Sequence, residues 1–220
     1  MDVPLLIFLH GPGQSPPAWQ DVVTHINPDQ PMVAPWLTGL KPGEESGFDM
    51  DKAVESLLDL MEARGAERAD LVGYSLGGLV AARMAARYPT KVAHVVLIST
   101  PILPSQAVIK RQRALAKVTP AALFHGVGKQ YVLDALDALI QANLSVDVSK
   151  VEAPMLAIAA ADDLHGKASA QELADQVGAL VRLAPGSDPN VVKTAPALVA
   201  QLVSDFCSDF LDDSTDRSPA

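Results

Sequence analysis

The stretch from Ala69 to Tyr88 constrains the architecture more than any other part of the chain, because strand, sharp turn and helix signals follow one another without a gap. Ala69-Asp70-Leu71-Val72-Gly73 has the length and apolar character of a short buried strand, and Leu76 to Tyr88 is alanine-rich and reads as a helix. Between them stands Gly73-Tyr74-Ser75-Leu76-Gly77. A residue at the apex of so tight a reversal takes strained dihedrals, so the residues two before and two after it must be small for the chain to pass. Gly73, Gly77 and Gly78 meet that requirement. The turn lifts the Ser75 hydroxyl clear of the sheet edge. It also aims the first amides of the helix, Leu76 foremost, at any negative charge that forms nearby.

The rest of the chain alternates in the same way. Pro4 to Leu9 is an apolar burst ending at His10-Gly11-Pro12-Gly13, and Ala18 to Ile26 suits a first helix. Pro31 to Trp36 suits a short strand. Asp51 to Arg64 carries Val54, Leu57, Leu58 and Met61 at helical spacing. Val92 to Ile98 is continuous and β-branched, as strands covered on both faces are. Pro154 to Ala160 and Leu180 to Leu183 complete about six strands, with helices over Ala168 to Val177 and Ala195 to Phe210. Strands separated by helices predict an α/β fold, a mostly parallel sheet with helices on both faces. Residues 102–149 show helical patterns without a strand, at Gln106 to Val118 and Gln130 to Asn143, which suits a short helical cap. Residues 1–211 are thus expected to form one domain with this cap inserted. The segment 212–220 is polar and proline-bearing and is expected to be a disordered tail.

Composition narrows the function. In 220 residues a hydrophobic content of 49% supports one substantial core, and a net charge of −9 supplies no basic surface for nucleic acid. Cys207 is the single cysteine, so no internal disulfide is available. No apolar run approaches the roughly 20 residues of a membrane span. The expectation is a soluble cytoplasmic protein acting on a small molecule, with no nucleic acid or membrane partner and its oligomeric state open. There is no metal-ligand spacing of Cys or His, no lysine-bearing phosphate loop and no dinucleotide fingerprint, so no cofactor is expected.

Gly73-Tyr74-Ser75-Leu76-Gly77 has the form of a nucleophile elbow, and over nearly its whole length the chain resembles the α/β-hydrolase superfamily. His10-Gly11-Pro12-Gly13-Gln14-Ser15 with Trp19 resembles the loop after that family's third strand, and Ala34 to Gly39 the loop after its fourth. Pro154-Met155-Leu156-Ala157-Ile158 leading to Asp163 resembles the strand that delivers the acid. The resemblance implies Ser75 as nucleophile, Asp163 as acid, and an oxyanion pocket around Leu76, Gly11, Pro12, Gly13 and Tyr74.

Two positions depart from the family pattern. The base is usually a histidine about seven residues before a proline, and counting back from Pro196 reaches Pro189, which cannot take a proton. The second oxyanion donor would be the amide of residue 12, and Pro12 has no amide hydrogen. His165, two residues beyond Asp163 in what reads as a loop, and His125 in the cap are the candidate replacement bases. His10 reads as a structural hydrogen-bonder, His94 as a satisfied core residue and His25 as a helix residue facing away. Tyr74, Trp19 and Trp36 are expected near the mouth, where they suit an apolar pocket, with Trp36 equally suited to the core. The functional expectation is an atypical serine-hydrolase-type enzyme, esterase-like, with an incomplete triad. The alternatives are a non-hydrolytic enzyme (lyase, isomerase or cyclase) and a non-catalytic ligand-binding protein on the same fold.

Overall fold

The structure is a computed structural model that describes residues 3–41, 44, 47–101, 106–120, 129–130, 133–134, 136–137 and 148–213. Six strands, β1 (Leu5–Leu9), β2 (Met32–Val33), β3 (Ala69–Tyr74), β4 (Val92–Ile98), β5 (Met155–Ala160) and β6 (Leu180–Ala184), form one sheet in the order β2-β1-β3-β4-β5-β6. Every pairing is parallel. The helices are α1 (Gln20–Val23), α2 (Met50–Ala63), α3 (Leu76–Arg87), α4 (Gln106–Val118), α5 (Leu164–Val177), α6 (Val191–Thr194) and α7 (Pro196–Asp213). No helix among the described residues is long and apolar enough to cross a membrane.

Because side chains alternate along a strand, each strand feeds two cores. Leu5, Ile7, Leu9, Leu71, Val95, Leu97, Ala157 and Ala159 pack on one face with α2, α3 and α5. Leu6, Phe8, Val72, Val96, Ile98, Leu156 and Ile158 pack on the other, with Val199, Val203 and Phe206 of α7. The continuous apolar runs are therefore buried on both sides, as their composition predicts.

Several boundaries move for physical reasons. The first helix divides into a 3-10 turn, Pro16–Trp19, whose prolines occupy first positions where no amide is needed, and the single turn α1. The second strand shrinks to Met32–Val33; Pro35 cannot donate to a ladder, and β2 lies at the sheet edge. Helix α5 starts at Leu164 rather than Ala168, capped by Asp163 at its start and by Gly178 at φ 69 at its end. Helix α7 runs to Asp213, two residues into the segment expected to be a tail, and residues 214–220 lie outside the described ones. In the cap region α4 has the expected limits, and Arg113 joins Asp137 in a two-pronged ion pair. Most of residues 121–147, His125 included, lies outside the described residues.

The strand order changes direction at β1: β2 is on one side and β3 on the other. At such a switch point the loops leaving the carboxyl ends diverge and open a crevice. The loops meeting there are His10–Gln14, after β1, and the Ser75 turn, after β3.

Candidate active site

Ser75 has φ 53 and ψ −113, a backbone conformation that a side chain rarely adopts. The turn is held on both sides. Ser75 N–H donates to Ile98 O at 2.9 Å, and Gly78 N–H donates to Ser75 O at 3.1 Å. The start of α3 is wedged into the sheet. A Cβ on Gly73 would lie 2.4 Å from the Gly77 backbone, and one on Gly77 only 2.1 Å from Leu9 O. Leu76 N–H has no acceptor among the described residues, so it faces the half-buried Ser75 side of the turn as a free donor.

The loop after β1 is built around a turn. Gln14 N–H donates to Gly11 O at 3.2 Å, with Pro12 and then Gly13 (φ 71) between them, the residue pattern of a type II turn. Gly11 N–H is taken by Gln14 Oε1 at 3.2 Å. The next amide along the loop is that of Gly13, for which no acceptor is found among the described residues. A Cβ on Gly11 would come 2.5 Å from Tyr74 Cδ1, so the Tyr74 ring lies directly against this loop.

His10 is fully buried and structural, as expected. Leu37 N–H donates to its Nε2 at 3.2 Å, which leaves the proton on Nδ1 to donate to Gly11 O at 3.1 Å. Burial holds its pKa below the usual histidine value, in keeping with that neutral form. With both nitrogens engaged it has no lone pair to offer Ser75. His94 is also a satisfied core residue, 2.8 Å from Asp70. His25 falls just beyond α1, exposed, with Nδ1 bonded to Asp21 O at 2.8 Å.

At the position of the expected base the structure has a carbonyl. Ser99 Oγ donates to Pro189 O at 2.7 Å across 90 residues of chain, and Ser99 is the second non-glycine with positive φ, at 44°. This pins the loop after β6 to the end of β4, beside the elbow. Asp163 caps α5: its Oδ1 accepts the His165 amide at 3.1 Å, and its Oδ2 would lie 2.5 Å from a Cβ on Gly166. A carboxylate there is stabilised by the helix dipole and needs no imidazole partner. His165 is not in a loop but in the first turn of α5; it is exposed, and its ring has no partner among the described residues. No imidazole among the described residues is hydrogen-bonded to Ser75. Trp19 is not at the mouth either: it is 1% exposed and packs on Phe8 with ring centroids 5.0 Å apart. Trp36 stacks edge-on against His10 at 5.2 Å.

One participant was not anticipated. The Tyr74 hydroxyl is pushed up to about 12 by burial, with the Asp188 and Asp163 carboxylates adding to the shift. Asp188 is exposed and its Oδ1 accepts the Asn190 amide at 2.8 Å, so its charge acts on Tyr74 without a direct bond among the described residues. Its only sequence signal was its place immediately before Pro189. In the unfolded chain a tyrosine ionises near 10.0, so between pH 10 and 12 the unfolded chain has lost a proton that the folded chain keeps. Stability should therefore fall as pH rises through that window. Tyrosinate absorbance should show one tyrosine lagging to about 12, and Tyr74→Phe should delete that late phase alone.

The alpha/beta hydrolase fold family model matches residues 4–136, from the first strand into the cap. Among curated proteins, a pimeloyl-[acyl-carrier protein] methyl ester esterase of Aromatoleum aromaticum is 34% identical over 100 residues, 46% of this chain and 38% of that protein. The chain thus spans well under half the length of that relative. Among solved structures, the enol-lactonase from Burkholderia xenovorans LB400 superposes with TM-score 0.74 at 18% identity, covering 94% of this chain and 92% of that one. The bottromycin epimerase BotH gives 0.73 at 16% identity, covering 94% and 92%. A parallel sheet in this order, a strained serine between β3 and α3, and a family match over most of the core lead to one assignment: the chain belongs to the alpha/beta hydrolase family.

Proposed function

We propose that the protein is an atypical serine hydrolase that acts on a small ester or thioester through Ser75. The observation that carries this reading is the backbone of Ser75 at φ 53, ψ −113 over the N-terminus of α3. Strain of this kind costs about 1–3 kcal/mol. It places a hydroxyl where the Leu76 amide can meet an adjacent negative charge. Ser75 Oγ attacks the acyl carbon, its proton passes to a base, and the carbonyl oxygen becomes an oxyanion held by Leu76 N–H and Gly13 N–H. The alcohol or thiol leaves with a proton, and water then cleaves the acyl-serine. Asp163 is the acid of this arrangement by position.

The base is the weak step. His165, in the first turn of α5 next to Asp163, and His125, which lies outside the described residues, are its candidates. Turnover is accordingly slow, since general-base help contributes about 10²–10⁴-fold where it is well placed.

A second reading is favoured by Pro12 and by the Ser99–Pro189 contact: non-hydrolytic chemistry in which Ser75, Tyr74 and Asp163 position and polarise a substrate. The same fold carries an epimerase in BotH. Intact-mass spectrometry after exposure to a fluorophosphonate separates the two. One adduct per chain, mapped to Ser75, is expected for an activated nucleophile. A folded protein that gains no adduct would overturn the hydrolase reading.

A further inference from the structure

Asp70 and His94 are direct register partners on β3 and β4. Both point to the face that carries Val72, Val96 and Ile98, under α7, and they are 3% and 4% exposed. His94 Nδ1 lies 2.8 Å from Asp70 Oδ1, and Phe206 of α7 sets its ring edge against the imidazole at 5.6 Å. The next residue, the partly buried Cys207, completes the group: one ligand atom each from Asp70, His94 and Cys207 lie within 4.8 Å of one another. A carboxylate, an imidazole and a thiol gathered on the buried face of a sheet are the donors of a metal centre. The elbow has no use for them, since Asp70 stands five residues before Ser75, about 16 Å away at strand rise.

We propose that Asp70, His94 and Cys207 bind one divalent transition-metal ion of the zinc type, which fastens α7 to β3 and β4. Three properties of the cluster favour it. Bond lengths of about 2.0 Å to oxygen and nitrogen and about 2.3 Å to sulfur put tetrahedral ligand atoms about 3.3–3.5 Å apart. An ion therefore parts His94 Nδ1 and Asp70 Oδ1, now 2.8 Å apart, by about 0.5 Å and draws in a ligand atom at the 4.8 Å limit by about 1 Å. Charge also balances: a carboxylate, a thiolate and a neutral imidazole sum to −2, so an M²⁺ ion leaves a neutral site in an apolar layer. Burial and the neighbouring Asp70 carboxylate push the Cys207 thiol up, so its proton is displaced to solvent only as the sulfur–metal bond forms. Finally, mixed N, O and S donors suit zinc or cobalt and not the hard cations magnesium and calcium.

The proposal involves none of the residues assigned to ester chemistry, so it stands or falls separately. The test uses the full chain, stripped with a chelator and titrated with Co²⁺ and then Zn²⁺. Expected are one metal per chain by native mass spectrometry, a sulfur-to-cobalt charge-transfer band with visible d–d bands of tetrahedral type, and a higher melting temperature in Zn²⁺. Cys207→Ser, a small change on a partly exposed helix position, should keep the circular dichroism of the parent. It should abolish the charge-transfer band and weaken binding by more than the roughly 100-fold that loss of a ligand's own hydrogen-bond partner can cost. Absence of bound metal in the parent at micromolar Zn²⁺ would overturn the proposal. So would a cobalt spectrum and stoichiometry that Cys207→Ser leaves unchanged, which would locate the ion elsewhere.

Discussion

Replacement of Ser75 by alanine is expected to lower turnover of a small activated ester by about 10³-fold or more, with the fold intact. Alanine tolerates φ 53 no worse than serine does, so the turn keeps its shape and only the hydroxyl is lost. The size of the drop discriminates between mechanisms. If Ser75 forms the acyl bond, nothing else in the turn replaces it, because Tyr74, its neighbour, holds its proton up to about 12 and is a poor nucleophile at neutral pH. If Ser75 only donates a hydrogen bond to a substrate that reacts by another route, its removal costs about 0.5–1.5 kcal/mol, a loss of about tenfold or less. Steady-state kinetics on parent and Ser75→Ala, with circular dichroism as the control, therefore decide the role of the elbow. A loss of about tenfold or less would shift the assignment to the non-hydrolytic reading, with Tyr74, Asp163 and Asp188 as the groups next to be varied.

The largest effect on stability is expected from Gly77→Ala. The new methyl would sit 2.1 Å from Leu9 O, 2.6 Å from Leu9 C and 2.8 Å from His10 O, all backbone atoms of β1 and the loop it feeds. No side chain can turn aside to make room, so α3 must lift away from the sheet. Its far flank is blocked too, because a Cβ on Gly78 would meet Thr100 Oγ1 at 1.9 Å. Overpacking of this sort costs about 3 kcal/mol, which in a chain of this length lowers the melting temperature by about 6–12 °C. Gly47→Ala is the control, since a Cβ there meets nothing within 4 Å. The damage should extend to the site. Lifting α3 withdraws Leu76 N–H and releases the strain at Ser75, so the fluorophosphonate adduct should disappear along with the stability. Melting within about 1 kcal/mol of the parent would mean that the close approach of α3 and β1 is not what holds the elbow.

The parts of the site written into consecutive residues were legible in advance, while its contacts were not. The elbow follows from small residues flanking Ser75 and from a change of period, strand to helix, across a few positions. The turn at Pro12-Gly13 follows from dihedral preferences of two residues. Pro189 itself was readable, but the contact it makes was not. Ser99 at φ 44 clasping Pro189 O is a contact over 90 residues, and neither serine nor proline signals it. Trp19 was misplaced for a related reason. A tryptophan shortly after the first loop suits a pocket wall or a core equally well, and packing on Phe8 selects the core. His165 moved from loop to helix because Asp163, read as an acid for catalysis, caps α5 and starts it four residues early.

Sequence by itself determined the parallel α/β layering, the order of elements and the strained serine, because each depends on periodicity and dihedral preference among near neighbours. Tertiary structure alone decided which distant groups meet. The charges of Asp188 and Asp163 are felt at the Tyr74 hydroxyl only because the fold brings the loop after β6 to the end of β4 beside the elbow. Asp70, His94 and Cys207 show no ligand spacing in the chain. Strand register sets the first two side by side, and the docking of α7 adds the third. Register and docking are settled by the burial of whole faces, a sum over many residues that no short stretch of sequence contains.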